Sequence, residues 1–269
     1  ADSEGEEGLF YLWTIKEIKS MLNNEDAEFI IDILNMNEVG NWHDGKKDKT
    51  NIPHFNNEWD EISKKYKQEE SILIERYNLI REKLFTIRKD RIHPQKDDKI
   101  LTDWNGLMIS ALAKSASVLN SELYKDSAIA ATDFILNNLR SPDGGLFKRY
   151  RNGESGLNGL IEDYSFFIWG LIEMYQLTFD AQYLEIAIEL SDYQITNFWD
   201  NDNFGFYFTP LNGEELIVRS KESYDGAIPS GNSVAAYNFI RLGRIISSSK
   251  YEKISTQITN AFSKNLNNY

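Results

Sequence analysis

Apolar residues recur mostly at helical spacing along this chain, and the pattern predicts a mainly α-helical protein. Thr14 followed by Glu17 forms a capping box that opens a short helix running to about Leu22. A second helix is expected over roughly Asp26–Leu34. Residues 36–57 carry Gly, Asn, His and Pro without a helical period and read as irregular chain or short strands. One long helix is then predicted over about Glu58–Arg91, with Ile72, Leu73, Tyr77, Ile80, Leu84 and Ile87 on its apolar side. Ile92–Lys99, with Pro94 and two adjacent aspartates, reads as a loop.

Beyond this loop the chain repeats itself. Tyr124, Ala128, Ile129, Asp133 and Asn138 return, at a constant offset of 59, as Tyr183, Ala187, Ile188, Asp192 and Asn197. Leu107, Ser110 and Leu112 return at the same offset as Phe166, Trp169 and Leu171. A weaker third copy follows at an offset of 68, with Tyr251 echoing Tyr183. Gly145-Leu146-Phe147 and Gly205-Phe206-Tyr207 close two of these units, and Gly8-Leu9-Phe10-Tyr11 looks like the tail of an earlier one. Each unit is an apolar helix, a tight turn, an amphipathic helix and a Gly-aromatic extended segment. A helix apolar nearly all round belongs inside, and its amphipathic partner outside. Alternating inner and outer helices build a solenoid or a closed α/α toroid of the six-hairpin glycosidase kind. The expected fold is therefore all-α, an incomplete α/α toroid of about four hairpins with short β-segments between them. The whole chain, 1–269, is read as one partial toroid domain. Residues 1–57 supply the end of one repeat plus an irregular insertion, and 58–269 the hairpins.

Composition narrows the function. The 269 residues are 41% hydrophobic and 26% charged, ordinary for a globular protein. A net charge of −13 argues against nucleic acid or an anionic membrane as partner. No run of about 18 apolar residues is present to span a bilayer. The polar, acidic start without Met reads as the cut edge of a longer protein and not as a signal peptide. With no cysteine there is neither a disulfide nor a thiolate chemistry, which suits a cytoplasmic setting. GxGxxG, P-loop, HExxH and GxSxG patterns are all missing, so no cofactor is expected. His43 and His54 with Asp44 and Asp48 read as a solvated loop and not as a metal site. Together with His93 they lie outside the inner helices, which disfavours two-histidine epimerase chemistry.

Aligning the repeats superposes the starts of the inner helices. Asp103, Trp104 and Asn105 fall on Glu162, Asp163 and Tyr164, and at the further offset on Ser230, Gly231 and Asn232. Helix N-termini offer free N–H groups and partial positive charge, which favour carboxylates and polar ligands. Capping alone explains any one of these residues. It does not explain their excess, with Asp97-Asp98-Lys99 before the first helix and Tyr224-Asp225 before the third. Glycoside chemistry needs two carboxylates, and Asp98, Glu162, Asp163 and Asp225 are the candidates, with Asp103 as a further one. Trp104, Tyr164 and Tyr224 beside them suit stacking on sugar rings, although core packing is the commoner use of such rings. Lys99, Arg219 and Lys221 are available either to recognise an anionic group or to balance the local acids.

Four segments carry a family resemblance: Asp2–Thr14 (DSEGEEGLFYLWT), Asp97–Met108 (DDKILTDWNGLM), Glu162–Tyr164 (EDY) and Tyr224–Ser233 (YDGAIPSGNS). In this order they resemble the YyaL / spermatogenesis-associated protein 20 family. That family carries a thioredoxin-like domain followed by an α/α toroid, so the resemblance implies that this chain is an internal piece of the toroid. The motif positions it singles out are Asp97, Asp98, Lys99, Trp104, Asn105, Glu162, Asp163, Tyr164, Asp225, Pro229, Ser230 and Asn232. It does not extend to Asp103, where family members often carry a smaller or different residue. The expectation is a carbohydrate-active or sugar-binding domain whose catalytic residues are drawn from Asp98, Glu162, Asp163 and Asp225. Asp97, Lys99, Trp104, Asn105, Tyr164, Tyr224, Ser230 and Asn232 would bind a sugar or other polar small molecule. If it is an enzyme, a glycosidase-like hydrolase is expected. The alternative is a non-catalytic scaffold presenting substrates to a thioredoxin-like domain of the same parent chain.

Overall fold

The computed structural model describes residues 2–43, 49–211, 213 and 216–266. The chain divides into two compact units, Ala1–Asp97 and Asp98–Tyr269.

In the first unit, β1 (Asp2–Ser3) and β2 (Glu6–Glu7) form a minimal antiparallel hairpin. Its turn places Glu4 and Gly5 at φ 54° and 77°, so the acidic, glycine-containing start is a tight turn. Next come β3 (Trp13–Thr14), α1 (Ile15–Met21) and α2 (Asn24–Ile33). The Thr14–Glu17 capping box forms as expected, with Thr14 Oγ1 accepting from the Glu17 N–H at 3.1 Å. The only other strand described in this unit, β4 (Thr50–Asn51), pairs with β3. The single long helix expected over 58–91 is instead two, α3 (Trp59–Tyr66) and α4 (Glu70–Lys89). Lys67 between them turns left-handed at φ 53°, and the Gln68 N–H reaches back to the Ser63 carbonyl. The polar run 67–71 leaves no apolar side chain there to hold a continuous helix against the core. The break lets Ile62 on one helix and Leu73 and Ile80 on the other bury with Trp13, Ile18, Phe29 and Ile30.

The second unit is a row of helical hairpins. Short β5 (Ile100–Leu101) leads into inner helix α5 (Thr102–Leu119) and outer helix α6 (Glu122–Asn138). Strands β6 (Phe147–Arg151) and β7 (Glu154–Asn158) follow, completing a three-stranded antiparallel sheet in the order β5-β6-β7. Then come inner α7 (Ile161–Thr178) with outer α8 (Ala181–Phe198), and inner α9 (Gly231–Ile245) with outer α10 (Ser249–Leu266). The repeat holds at the level of the backbone. Asn120, Phe179 and Ser247, related by the same two offsets, are all left-handed, at φ 48°, 57° and 56°, where inner helix turns into outer. Arg140 bridges Leu146 as Trp199 bridges Phe206, in equivalent Gly-aromatic segments.

Of the inner helices, α7 is buried on all sides as its composition requires, with Phe166, Phe167, Ile168, Leu171 and Ile172 fully covered. Helix α5 departs from that expectation: Trp104, Met108 and Val118 are exposed, because it packs on α7 along one side only within this unit. Where α5 and α7 meet, their backbones nearly touch. A Cβ on Gly106 would stand 2.5 Å from the Phe166 carbonyl carbon, so only glycine fits. Among the described residues no helix is long and apolar enough to cross a membrane.

Candidate functional site

The starts of α5 and α7 converge on one lysine. Lys148, on β6, places Nζ 3.1 Å from Asp103 Oδ2 and 3.6 Å from Asp163 Oδ2. Asp163 is fully buried and joins the two inner helices. Its Oδ1 accepts the Asp103 N–H at 3.0 Å, and its Oδ2 accepts the Leu160 N–H of its own helix start at 2.7 Å. It therefore caps its own helix and its neighbour's together. Asp103 Oδ1 accepts the Trp104 N–H at 2.8 Å, and Thr102 Oγ1 donates to the Phe147 carbonyl at 2.6 Å, tying the α5 start to β6.

Burial pushes the Asp163 carboxyl up to about 7, against the pull of Lys148 and two backbone N–H groups, with Asp103 adding to the rise. Burial also works against the Lys148 charge, but the carboxylates of Asp163 and Asp103 outweigh it and hold the ammonium above its ordinary value. Glu162 differs from both. It is half-buried at the second position of α7, and has no hydrogen-bond or ion-pair partner among the described residues. Burial raises its pKa, and the charges of Asp103 and Glu222 raise it further while Lys148 opposes.

The remaining expected site residues fall into two groups. Several are spent on the fold. The Tyr164 hydroxyl accepts the buried Leu146 N–H at 2.9 Å, and its ring stacks on Tyr193. Asn232 accepts the Phe206 N–H at 2.7 Å and donates to the carbonyls of Phe206 and Glu222. Ser230 is the N-cap of α9, accepting from the Ser233 N–H, and its own N–H is taken by Asp225 Oδ1 at 2.8 Å. Asn105 donates to the Leu101 carbonyl at 2.8 Å. Others lie exposed: Asp97, Asp98, Lys99, Trp104, Tyr224 and Asp225. Asp98 pairs with Arg151 at 2.6 Å. No contact among the described residues joins Asp98 or Asp225 to Glu162, whereas Asp103, Asp163 and Glu162 share the Lys148 environment. Arg219 and Lys221 balance internal groups: Lys221 Nζ is 2.7 Å from the buried Asp200, and Arg219 donates to the Thr209 carbonyl. Asp44 and Asp48, the acids of the His43 loop, lie outside the described residues, and His54 contacts Asn35 and the Ile52 carbonyl.

Two residues of this site escaped the sequence. Lys148 is a lone lysine in an extended segment, and Glu222 sits in a loop, so neither belongs to a recurring position. The alternation of β6 gave the one available signal, since Lys148 and Tyr150 must share a face.

No protein-family model matches the chain. In an alignment of 261 positions that covers 88% of the chain, it is 30% identical to spermatogenesis-associated protein 20 of Rattus norvegicus, and the human protein of that name is also 30% identical, over 266 positions. The chain is homologous to spermatogenesis-associated protein 20. It spans only 33% of the length of those relatives. Solved structures carry the same fold. A cellobiose 2-epimerase from Bacillus thermoamylovorans matches 64% of this chain and 46% of its own, with a TM-score of 0.53 at 17% identity. A family 76 glycoside hydrolase (mannosidase) from Bacteroides thetaiotaomicron matches 63% of this chain and 46% of its own, again with a TM-score of 0.53 at 17% identity. The hairpins are thus those of an α/α toroid.

Proposed function

We propose that this part of the spermatogenesis-associated protein 20 homologue is a sugar-directed toroid domain with its reactive group at the α5/α7 entrance. Glu162 carries the reading. It is a half-buried carboxyl with a raised pKa, no partner among the described residues, and two further carboxyl groups held beside it on one lysine. Its pKa is displaced in the direction a general acid needs, since burial and the neighbouring carboxylates favour the protonated form. In a glycosidase-like hydrolysis Glu162 gives its proton to the oxygen leaving C1. Glu222 takes a proton from the water that adds to C1, so that one C–O bond breaks and one forms. Asp163 has both oxygens committed to N–H groups and Lys148, and serves to position the others. The exposed Trp104 is available for ring stacking.

The test is a panel of manno-, gluco- and glucuronyl disaccharides incubated with wild type and with Glu162→Gln, reading released reducing sugar. At least one disaccharide is cleaved by the wild type and about 100-fold or more slowly by the variant. Cleavage by both at one rate, or by neither, overturns the reading. A second reading has its own observation. Asp163, Tyr164, Ser230 and Asn232 are all engaged in internal bonds, as expected of a scaffold whose entrance motifs are turns and caps. Such a scaffold would present substrates to a thioredoxin-like domain of the parent chain, and it predicts the outcome in which neither protein cleaves.

A further inference from the structure

A second polar constellation lies well inside the inner helices, in bodies that are otherwise apolar. Lys114 on α5, Glu173 on α7 and Arg241 on α9 are related by the two repeat offsets, so all three occupy one repeat position. One turn nearer the helix starts, Trp169 and Tyr237 are likewise equivalent. Glu173 is 4% exposed, and its Oε1 takes every donor. Arg241 Nη1 is 2.6 Å away, Trp169 Nε1 3.0 Å and Lys114 Nζ 3.5 Å. Its Oε2 has no partner among the described residues. The second arm of the Arg241 fork donates to Gln176 Oε1 at 2.9 Å. Trp169 and Tyr237 stand edge to face with centroids 5.7 Å apart, Lys114 lies over the first ring at 5.8 Å and Arg241 over the second at 5.0 Å.

Three aligned helices therefore bring two aromatic rings, two cations and a buried carboxylate with a free oxygen to one place. The donors gather on Oε1, and Oε2 is the oxygen of this carboxylate left to solvent or to a donor from outside the chain. Stability alone asks for apolar residues here, as at the neighbouring positions of α7. Tyr237 is 43% exposed and the Lys114 side chain 51%, so the cluster opens to solvent. It is separate from the entrance: Trp169 and Glu173 lie eight and twelve residues past the start of α7, about 12–18 Å further along the helix.

We propose that this belt is a saccharide-binding subsite for a pyranose ring. The ring face lies against the exposed Tyr237, with Trp169 standing at 79° beside it, one hydroxyl donates to Glu173 Oε2, and an adjacent hydroxyl oxygen accepts from Lys114 Nζ. An aromatic platform with one acceptor and one donor side by side is the chemistry that reads neighbouring hydroxyls on a sugar. The two cations against a single carboxylate leave room for a ring that also carries a carboxylate, as a hexuronate does. The subsite does not depend on catalysis at Glu162.

The experiment is saturation-transfer NMR on the full chain with methyl glucoside, methyl mannoside and glucuronate as probes. Variants are Trp169→Ala, Tyr237→Ala and Glu173→Gln, each checked for fold by circular dichroism, with Glu162→Gln as the entrance control. At least one probe receives saturation from the wild type and from Glu162→Gln, and its affinity falls 10-fold or more in Tyr237→Ala. Tyr237, already partly exposed, can be truncated without opening the core, so this variant keeps the test meaningful if Trp169→Ala or Glu173→Gln misfolds. Loss of binding in Glu162→Gln with retention in Tyr237→Ala moves the sugar to the entrance and overturns the subsite. No saturation of any probe by the wild type also overturns it. Disaccharide turnover bears on the entrance reading alone, so the two fail separately.

Discussion

The entrance to α5 and α7 and the entrance to α9 share one structural role and differ in charge. At equivalent positions of the repeat, Tyr164 and Asn232 each take the buried N–H of the Gly-aromatic segment ahead of them, Leu146 in one case and Phe206 in the other. That bond is what the repeat requires: an extended segment crossing a buried edge must have its N–H satisfied. Beyond it the two places diverge. The first gathers Asp103, Glu162 and Asp163 around Lys148, whereas the second is built from the hydrogen-bonded Ser230, Asn232 and Ser233, with the exposed Asp225 on the Ser230 N–H in place of a buried carboxylate cluster. Pinning belongs to the fold, and charge at the first entrance is an addition to it. Mutations at the two places should separate these contributions.

The largest effect is expected from Lys148→Met. It leaves Asp163 fully buried and Asp103 nearly so without their counter-ion, and breaking such a pair costs on the order of 3 kcal/mol. Urea denaturation at pH 7 reads it directly. The pH dependence gives a sharper check. A carboxyl raised from 3.8 to about 7 holds its proton more tightly folded than unfolded, so its contribution is fully present below about pH 4 and lost as pH rises to 7. Without Lys148 the Asp163 carboxyl rises further, and the decline in stability must extend beyond pH 7. A variant whose deficit is the same at pH 4 and pH 8 would refute the shared-lysine arrangement.

Next come the two pins. Asn232→Ala strands the Phe206 N–H and two carbonyls, and should cost about 2 kcal/mol. Tyr164→Phe strands the Leu146 N–H and gives up the hydroxyl's bond with Tyr193, but keeps the ring stacked on Tyr193, so about 1 kcal/mol is expected. Both losses, read by urea denaturation, should be independent of pH between 5 and 8, unlike that of Lys148→Met. If Tyr164→Phe proves harmless, the equivalence of the two pins fails.

These contrasts also show how far the sequence could be read. The hairpins were legible because the offset of 59 recurs through apolar, polar and turn positions alike. Phe179 marks its limit: its place is that of Asn120, yet nothing about a phenylalanine announces a left-handed turn. The third inner helix was legible only in part. The further offset aligns the pins, Tyr164 with Asn232, but α9 begins at Gly231, so Ser230 is a cap and not a counterpart of Glu162 within its helix. Pro229 and the Asp225 bond to the Ser230 N–H delay that start. The long helix over 58–91 failed at Lys67, where a polar run carries no periodicity to read. The acids of the candidate site could be named in advance, but their grouping could not. Asp98 went to Arg151 and Asp225 to a loop, while Asp103 and Glu162 were drawn together by Lys148, which is distant from Asp103 in sequence and near only once β5 pairs with β6.

The smallest expected change in stability is also the most pointed. Glu162 has no partner among the described residues to lose, so Glu162→Gln should shift unfolding by no more than about 0.5 kcal/mol at pH 7. The sign follows from its raised pKa. A carboxyl that holds its proton more tightly folded than unfolded costs stability once pH exceeds the folded value, and glutamine carries no such cost. The variant should therefore equal wild type at low pH and match or slightly exceed it at pH 8, the opposite trend to that expected at a capping glutamate. On the proposed reading Glu162 stands at the entrance for its proton and not for stability, while Asp163 beside it is satisfied on both oxygens. A thermal scan in which Glu162→Gln loses stability as pH rises would show Glu162 to be a cap after all, and would return the whole entrance to the role that Asn232 and Ser230 play at α9.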